Sequence, residues 1–181
     1  QVFAAAERGL CHATHAFNAM RPFHHRQPGV VGAVLDHERI TAEIIADGHH
    51  VHPAALRLVL RVKGPGRVCL VSDGAPFTGL PPGTYSWLGQ EVLVDESSAR
   101  LPDGSLAGST IPLNLALDCL VRSTAVPLDE GLLTVTRTPA EVLGLNAGCL
   151  SAGRDADVIV LDEDYRVVLT AVRGRVVHRE R

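Results

Sequence analysis

Residues 40–74 read ITAEIIADGHHVHPAALRLVLRVKGPGRVCLVSDG, and three different signals follow one another along them. Residues 40–48 are β-branched and apolar up to Asp47-Gly48, which predicts a strand buried on both faces. Pro53 then opens AALRLVLRV, in which Ala54, Leu58 and Arg61-Val62 recur at helical spacing until Gly64-Pro65-Gly66 stops the run. Residues 67–74, RVCLVSDG, form a second short apolar strand with Asp73 at its carboxyl end. Continuous apolar strands joined by a helix mark a parallel sheet covered by helices.

Upstream, the first eight residues read as the last turns of a helix ending at Gly9, and a short strand covers about 10–15. Residues 16–33 hold Pro22, Pro28, Gly29 and Gly32 and read as a long functional loop. Downstream, residues 83–106 alternate polar and apolar, with Asp103-Gly104 as a turn signal, and predict an inserted β-hairpin. Ser109 or Thr110 is expected to cap the next helix, with Pro112 in its first turn and Leu113, Leu117, Leu120 and Val121 as its apolar face. Thr138-Pro139-Ala140-Glu141 starts a further helix that ends near Gly144. From Leu150 onward, strands at 157–161 and 167–169 and a hairpin turn around Gly174 describe a small β layer outside the main sheet.

Composition narrows the function classes. Hydrophobic residues make up 46% of the 181, enough for a core. No apolar run approaches the ~18 residues that span a bilayer. A net charge of −3 lacks the basic footprint of a nucleic-acid binder. The start has no basic segment followed by an apolar one, so no secretory leader is read there. The four cysteines, Cys11, Cys69, Cys119 and Cys149, form no CxxC pair, which removes zinc-finger and thioredoxin readings. A cytoplasmic protein is expected, without membrane or nucleic-acid partners.

Histidine is unevenly spread. Eight of the nine fall within the first 52 residues, and His178 stands alone near the end. In parallel barrels and related sheets, chemistry sits where strands end and loops begin. His15, His50 and Asp73 all lie at or just past predicted strand ends. Ser109 and Thr110 have no histidine placed to activate them as nucleophiles.

Several ordered segments resemble N-acetylglucosamine-6-phosphate deacetylases, which belong to the metal-dependent amidohydrolase superfamily. They are THAFNAM at 14–20, HHRQPGVVGAVLD at 24–36, IIADGHHVHP at 44–53, LVSDG at 70–74 and DGSLAGST at 103–110. The segment at 150–177 resembles the superfamily's closing β segment. The resemblance implies an α/β fold, the C-terminal part of a (β/α)8 TIM-like barrel. Strands six to eight and a hairpin insertion at about 83–106 would occupy 1–147, and the C-terminal strands of a small β-sandwich 148–181. It implies hydrolysis of N-acetylglucosamine 6-phosphate to glucosamine 6-phosphate and acetate. His15 matches the family's metal-binding histidine and Asp73 its catalytic aspartate. Asn18 and Ala19 match its backbone phosphate contacts, and His50 and Arg26 further substrate contacts. Arg26 is expected to reach the neighbouring subunit's site, which implies a homodimer. The implied cofactor is a divalent metal, zinc, as one or two ions in the complete protein.

The residue types suit that chemistry. Neutral imidazole is a good zinc ligand, and bound zinc brings the pKa of its water towards ~7. An aspartate can take the water's proton and pass it to the leaving amine. Arginine and backbone N–H groups suit a phosphate dianion. Compared with the family, however, a metal-binding glutamate and a second metal histidine would lie before residue 1. This chain is therefore expected to be inactive alone. Another amidohydrolase, such as a cyclic amidase or deaminase, or a non-enzymatic truncated product, are the competing readings.

Overall fold

The computed structural model describes residues 1–180, and its elements fall into three small sheets with helices packed on the first. The order begins α1 (Val2–Ala6), β1 (His12–Ala13), α2 (Gly29–Asp36), β2 (Thr41–Ile45), α3 (Pro53–Lys63) and β3 (Val68–Val71). An inserted sheet follows, of β4 (Gly83–Trp87), β5 (Gln90–Val94) and β6 (Ala99–Arg100). Then come α4 (Leu113–Thr124), α5 (Leu128–Val135), α6 (Arg137–Leu143), β7 (Val158–Leu161), β8 (Val167–Val172) and β9 (Arg175–Arg179). No helix among the described residues is long and apolar enough to cross a membrane.

Strands β1, β2 and β3 pair in parallel in that order, with His12 opposite Thr41 and Ala42 opposite Val68. They form an open sheet and not a closed barrel. Register separates its two faces. Ala42, Ile44, Ala46, Val68 and Leu70 belong to the main core, together with Leu56, Val59 and Leu60 of α3 and Ala116, Leu117 and Leu120 of α4. Each such leucine contributes ~1.5–3 kcal/mol by leaving water. The other face carries Thr41, Glu43 and Ile45 beside Cys69 and Val71.

Four expectations about local structure change, the last of them in the insertion. The 16–33 segment is a loop only as far as Pro28, because α2 starts at Gly29. Its prolines and glycines suggest a loop, but Pro28 sits at the N-cap, where its missing N–H costs nothing. Gly32 is buried within the helix, where a Cβ would meet the Phe23 ring at 3.1 Å. In α3 the predicted apolar positions are the exposed ones: Leu58 is 50% and Val62 52% accessible, while Leu56, Val59 and Leu60 are buried. The stretch AALRLVL has leucines around most of the helix, so spacing alone allows either face, and contact with the sheet selects one. Neither Ser109 nor Thr110 caps α4. Its N-cap is Pro112 with no side-chain cap bond, and Leu113 is exposed. The Ser109 hydroxyl instead accepts the Ile111 N–H at 3.1 Å.

The insertion is a three-stranded antiparallel meander rather than one hairpin, because Asp95 accepts N–H bonds from Ser97 and Ser98 and turns the chain a second time. It has its own small core of Ala75, Phe77, Val92, Val94 and Ala99. The Phe77 ring lies 5.6 Å from that of Tyr85 and edge-on to Trp87 at 6.1 Å. The third sheet, β7-β8-β9, is antiparallel. Its β7–β8 turn is tied to α4, where the Asn114 amide donates to the Tyr165 carbonyl at 2.8 Å.

Candidate active site

The carboxyl ends of β1, β2 and β3 deliver, within a few residues, His15, Asp47 with His50, and Asp73. Beyond β1 the chain curls tightly. His15, Phe17 and Ala19 have φ of 27°, 77° and 54° in the left-handed region, which L-residues occupy at a cost of about 1–3 kcal/mol each. Backbone bonds hold the curl: the Ala16 N–H donates to the Glu43 carbonyl at 2.8 Å and the Asn18 N–H to the His15 carbonyl at 2.9 Å. The Asn18 N–H is thus engaged within the loop, whereas the Ala19 N–H meets no acceptor among the described residues. Alternating left-handed residues turn N–H groups inward, the geometry of an anion-binding nest.

Glu43 anchors this loop from the middle of β2. Its carboxylate accepts the Thr14 hydroxyl at 2.6 Å and the His15 N–H at 3.2 Å, and bonds His12 Nε2 at 2.7 Å. Burial works to raise the Glu43 pKa, but the bonds from His12, Thr14 and His15 outweigh it and hold the carboxyl below the usual carboxylate range. Burial, followed by the Glu43 charge, pushes the neighbouring Cys69 thiol up to about 11.

Past β2, Asp47 and His50 form a buried pair, their side chains 2% and 7% accessible. Asp47 Oδ2 lies 2.6 Å from His50 Nδ1, and Asp47 Oδ1 accepts the N–H groups of His49 and His50, each at 2.9 Å. Burial would raise the Asp47 pKa, yet the ring and backbone donors together leave it well below the usual range. The three histidines here divide by role. His49 is exposed, and His52 caps α3 by accepting the Ala54 N–H at 3.1 Å. Of the three, only His50 is paired with a carboxylate.

Asp73 follows β3 by two residues, exposed and with φ of 47°. The two ends of the insertion close on it. The Ser109 N–H donates to the Asp73 carbonyl at 3.1 Å and the Ala75 N–H to the Ser109 carbonyl at 2.8 Å. Gly108, at φ 98°, makes the approach possible, since a Cβ there would stand 2.9 Å from the Ala75 Cβ.

Arg26 stays apart, in the exposed 21–28 loop, where its N–H donates to His24 Nδ1 at 3.3 Å. A cavity of about 190 Å³ lies at the opposite pole, among Cys11, Arg39, Thr41 and Arg67 at the amino ends of the strands, and has no part in this cluster. His15 Nδ1 is buried with no partner, as suits a ring held for a ligand. Yet among the described residues no three His, Cys, Asp or Glu side chains gather around a metal position. Catalytic zinc takes three protein ligands, so the chain by itself offers one imidazole, short of a complete metal site. The residues that sequence reading missed are Glu43 and the carboxylate of Asp47. A glutamate inside the buried run ITAEIIADG was the available signal, because a charge in such a strand requires partners.

Helix-covered parallel strands with histidine and aspartate at their carboxyl ends define an α/β architecture whose candidate site lies where the strands run into loops. The chain belongs to the amidohydrolase family, whose profile matches residues 2–177, and its fold is that of this TIM-barrel superfamily. It is 38% identical over 174 residues to N-acetylglucosamine-6-phosphate deacetylase from Bacillus subtilis, which covers 95% of this chain and 44% of that protein. It is 37% identical over 163 residues to a putative N-acetylgalactosamine-6-phosphate deacetylase from Escherichia coli K12, covering 89% of this chain and 97% of that one. The crystal structure of N-acetylglucosamine-6-phosphate deacetylase from Thermotoga maritima superposes with a TM-score of 0.93 at 33% identity, covering 99% of this chain and 50% of the other. The chain thus spans about half the length of most of the curated relatives it matches.

Proposed function

We propose that these residues form part of the active site of a cytoplasmic, metal-dependent deacetylase. Its reaction would be hydrolysis of N-acetylglucosamine 6-phosphate to glucosamine 6-phosphate and acetate. The observation that carries this reading is the placement of His15, His50 and Asp73 at the carboxyl ends of three adjacent parallel strands, beside a nest-forming loop, in a chain similar to such deacetylases. On this reading β1, β2 and β3 are the sixth to eighth strands of a barrel whose C-terminal part occupies 1–147, and 148–181 supplies the C-terminal strands of a small β-sandwich.

The roles follow from chemistry. His15 contributes one imidazole to a site for zinc, and the bound metal supplies an activated water. The Asp73 carboxylate would take a proton from the water as its oxygen bonds the acetyl carbon, and would return that proton to the amine nitrogen as the C–N bond breaks. The backbone turn of Asn18 and Ala19 receives the phosphate, with the Ala19 N–H as its donor, and His50 binds the sugar. Arg26, on its exposed loop, reaches the site of a second subunit in a homodimer.

A coupled assay of amine release tests the reading. The 181-residue chain alone should show no turnover. Joined to the preceding half of the Bacillus subtilis relative, and loaded with zinc, it should deacetylate N-acetylglucosamine 6-phosphate, and Asp73→Asn should abolish that. A folded, metal-loaded chimera without turnover refutes the proposal. Arg26→Ala should weaken phosphorylated substrates far more than unphosphorylated amides. Equal losses would favour a different amidohydrolase chemistry.

A further inference from the structure

Glu43 is the one carboxylate within the parallel strands, and it stands on β2, the central strand, which is paired on both sides. Two ladders therefore fix its position, as a rigid element should for a group that holds others. From there it grips the segment after β1 at four places. The carboxylate meets His12 Nε2, the Thr14 hydroxyl and the His15 N–H, and the Glu43 carbonyl accepts the Ala16 N–H at 2.8 Å. The bond to the His15 N–H sets a carboxylate oxygen on the first of the three left-handed residues, His15, Phe17 and Ala19. The N–H groups of the next two, Phe17 and Ala19, meet no acceptor among the described residues, and Ala19 is exposed. On the core side, Ala16 is buried and Phe17 packs against the main cluster. Glu43 thus fills one end of the turn, and the other end stays open to an anion from outside.

We infer that Glu43 is a positioning residue for an oxyanion site: it braces residues 12–16 so that the left-handed turn stays formed and the Ala19 N–H stays free to donate. This rests on the sugar-phosphate reading above only for the identity of the oxyanion, a phosphate monoester. Left-handed backbone is costly for Phe17 and Ala19, so an unbraced loop would populate other conformations, in which the N–H groups diverge. Apparent affinity falls with the population of the competent form. Releasing one such residue, at the low end of its cost, corresponds to about fivefold weaker binding. Charge acts in the opposite direction. A carboxylate near an anion repels it, so a Glu43 that acted through charge alone would make every neutral replacement bind more tightly. The two roles predict opposite signs for alanine.

Amide NMR of the 181-residue chain, titrated with inorganic phosphate at neutral pH, tests this. In the native chain the Ala19 signal should shift and saturate, and a signal indifferent to phosphate overturns the anion role. Glu43→Gln keeps an acceptor oxygen for Thr14 and His15 and removes the charge, so it should bind phosphate at least as tightly as the native chain. Weaker binding by the glutamine variant overturns the inference by itself, whether or not the alanine variant folds. Glu43→Ala should bind about fivefold more weakly, and binding as tight as native or tighter overturns the inference. Leu56→Ala, a core truncation on the helix-covered face of the same sheet, controls for lost stability and should bind like the native chain. An equal loss there would make Glu43 a stabilising residue only, and the inference falls. Without phosphate, hydrogen exchange of the Ala16 and Asn18 amides should quicken about tenfold in Glu43→Ala relative to the β2–β3 ladder. Unchanged exchange overturns the brace. Amine release judges the deacetylase reading separately, so the two can fail independently.

Discussion

Glu43 offers the sharpest perturbation. Replacing it by alanine strands the Thr14 hydroxyl, His12 Nε2 and the His15 N–H, which now reach one carboxylate at 2.6, 2.7 and 3.2 Å. A bond to a charged acceptor is worth ~1.5–3 kcal/mol, and a stranded donor costs ~1–3 kcal/mol. Thr14 is exposed and can turn to water, and removing a half-buried charge returns part of its desolvation cost. A net loss of about 2–4 kcal/mol remains for Glu43→Ala. Glu43→Gln keeps an acceptor oxygen and should lose about half as much. Urea unfolding followed by circular dichroism would read both variants as shifts in midpoint at constant slope. The folded Glu43 pKa is depressed, so its contribution is complete above the unfolded value near ~4.3 and disappears as pH falls through the folded value. The gap between wild type and Glu43→Ala should therefore narrow between pH 6 and pH 3. Glu43→Ala within 0.5 kcal/mol of wild type at pH 7, or glutamine costing as much as alanine, would refute the reasoning.

Leu56→Ala should cost ~2–5 kcal/mol as a cavity in the core, while Leu58→Ala, on the exposed side of α3, should cost under ~1 kcal/mol by the same urea assay. Gly108→Ala should lose ~2–4 kcal/mol, from a left-handed backbone and a 2.9 Å approach to Ala75, and should raise proteolytic nicking of the 75–108 insertion. Asp47 has a depressed folded pKa, so its stabilisation is present above ~3.9 and lost as pH falls below it. Asp47→Asn should flatten the decline in stability between pH 5 and pH 2 seen in acid titrations by fluorescence of the single tryptophan.

Much of the frame is legible in the chain itself. The run ITAEIIADG, the Pro53 start and the Gly64-Pro65-Gly66 stop announce a strand, a helix and its end, and β2, α3 and β3 lie where they point. THAFNAM and LVSDG place His15 and Asp73 just past strand ends, and the ends of β1 and β3 agree. Such signals are local. A strand's β-branched run, a proline's missing N–H and a turn's glycine act within a few residues, so they can be read without knowing the neighbours.

What only the tertiary structure decided is non-local. Which side of α3 is buried depends on the sheet it meets, because leucines lie around most of its circumference. The partners of Glu43 stand 28 to 31 residues away, and only parallel pairing of β1 with β2 brings them to one carboxylate. The clamp between Asp73 and Ser109 joins the two ends of an insertion whose alternation reveals its strands but not where it closes. His50 differs from His49 and His52 through a buried carboxylate contact and a helix cap that no spacing rule separates. Periodicity states which residues prefer to leave water; packing then decides which of them succeed, and which charges must find partners as they do so.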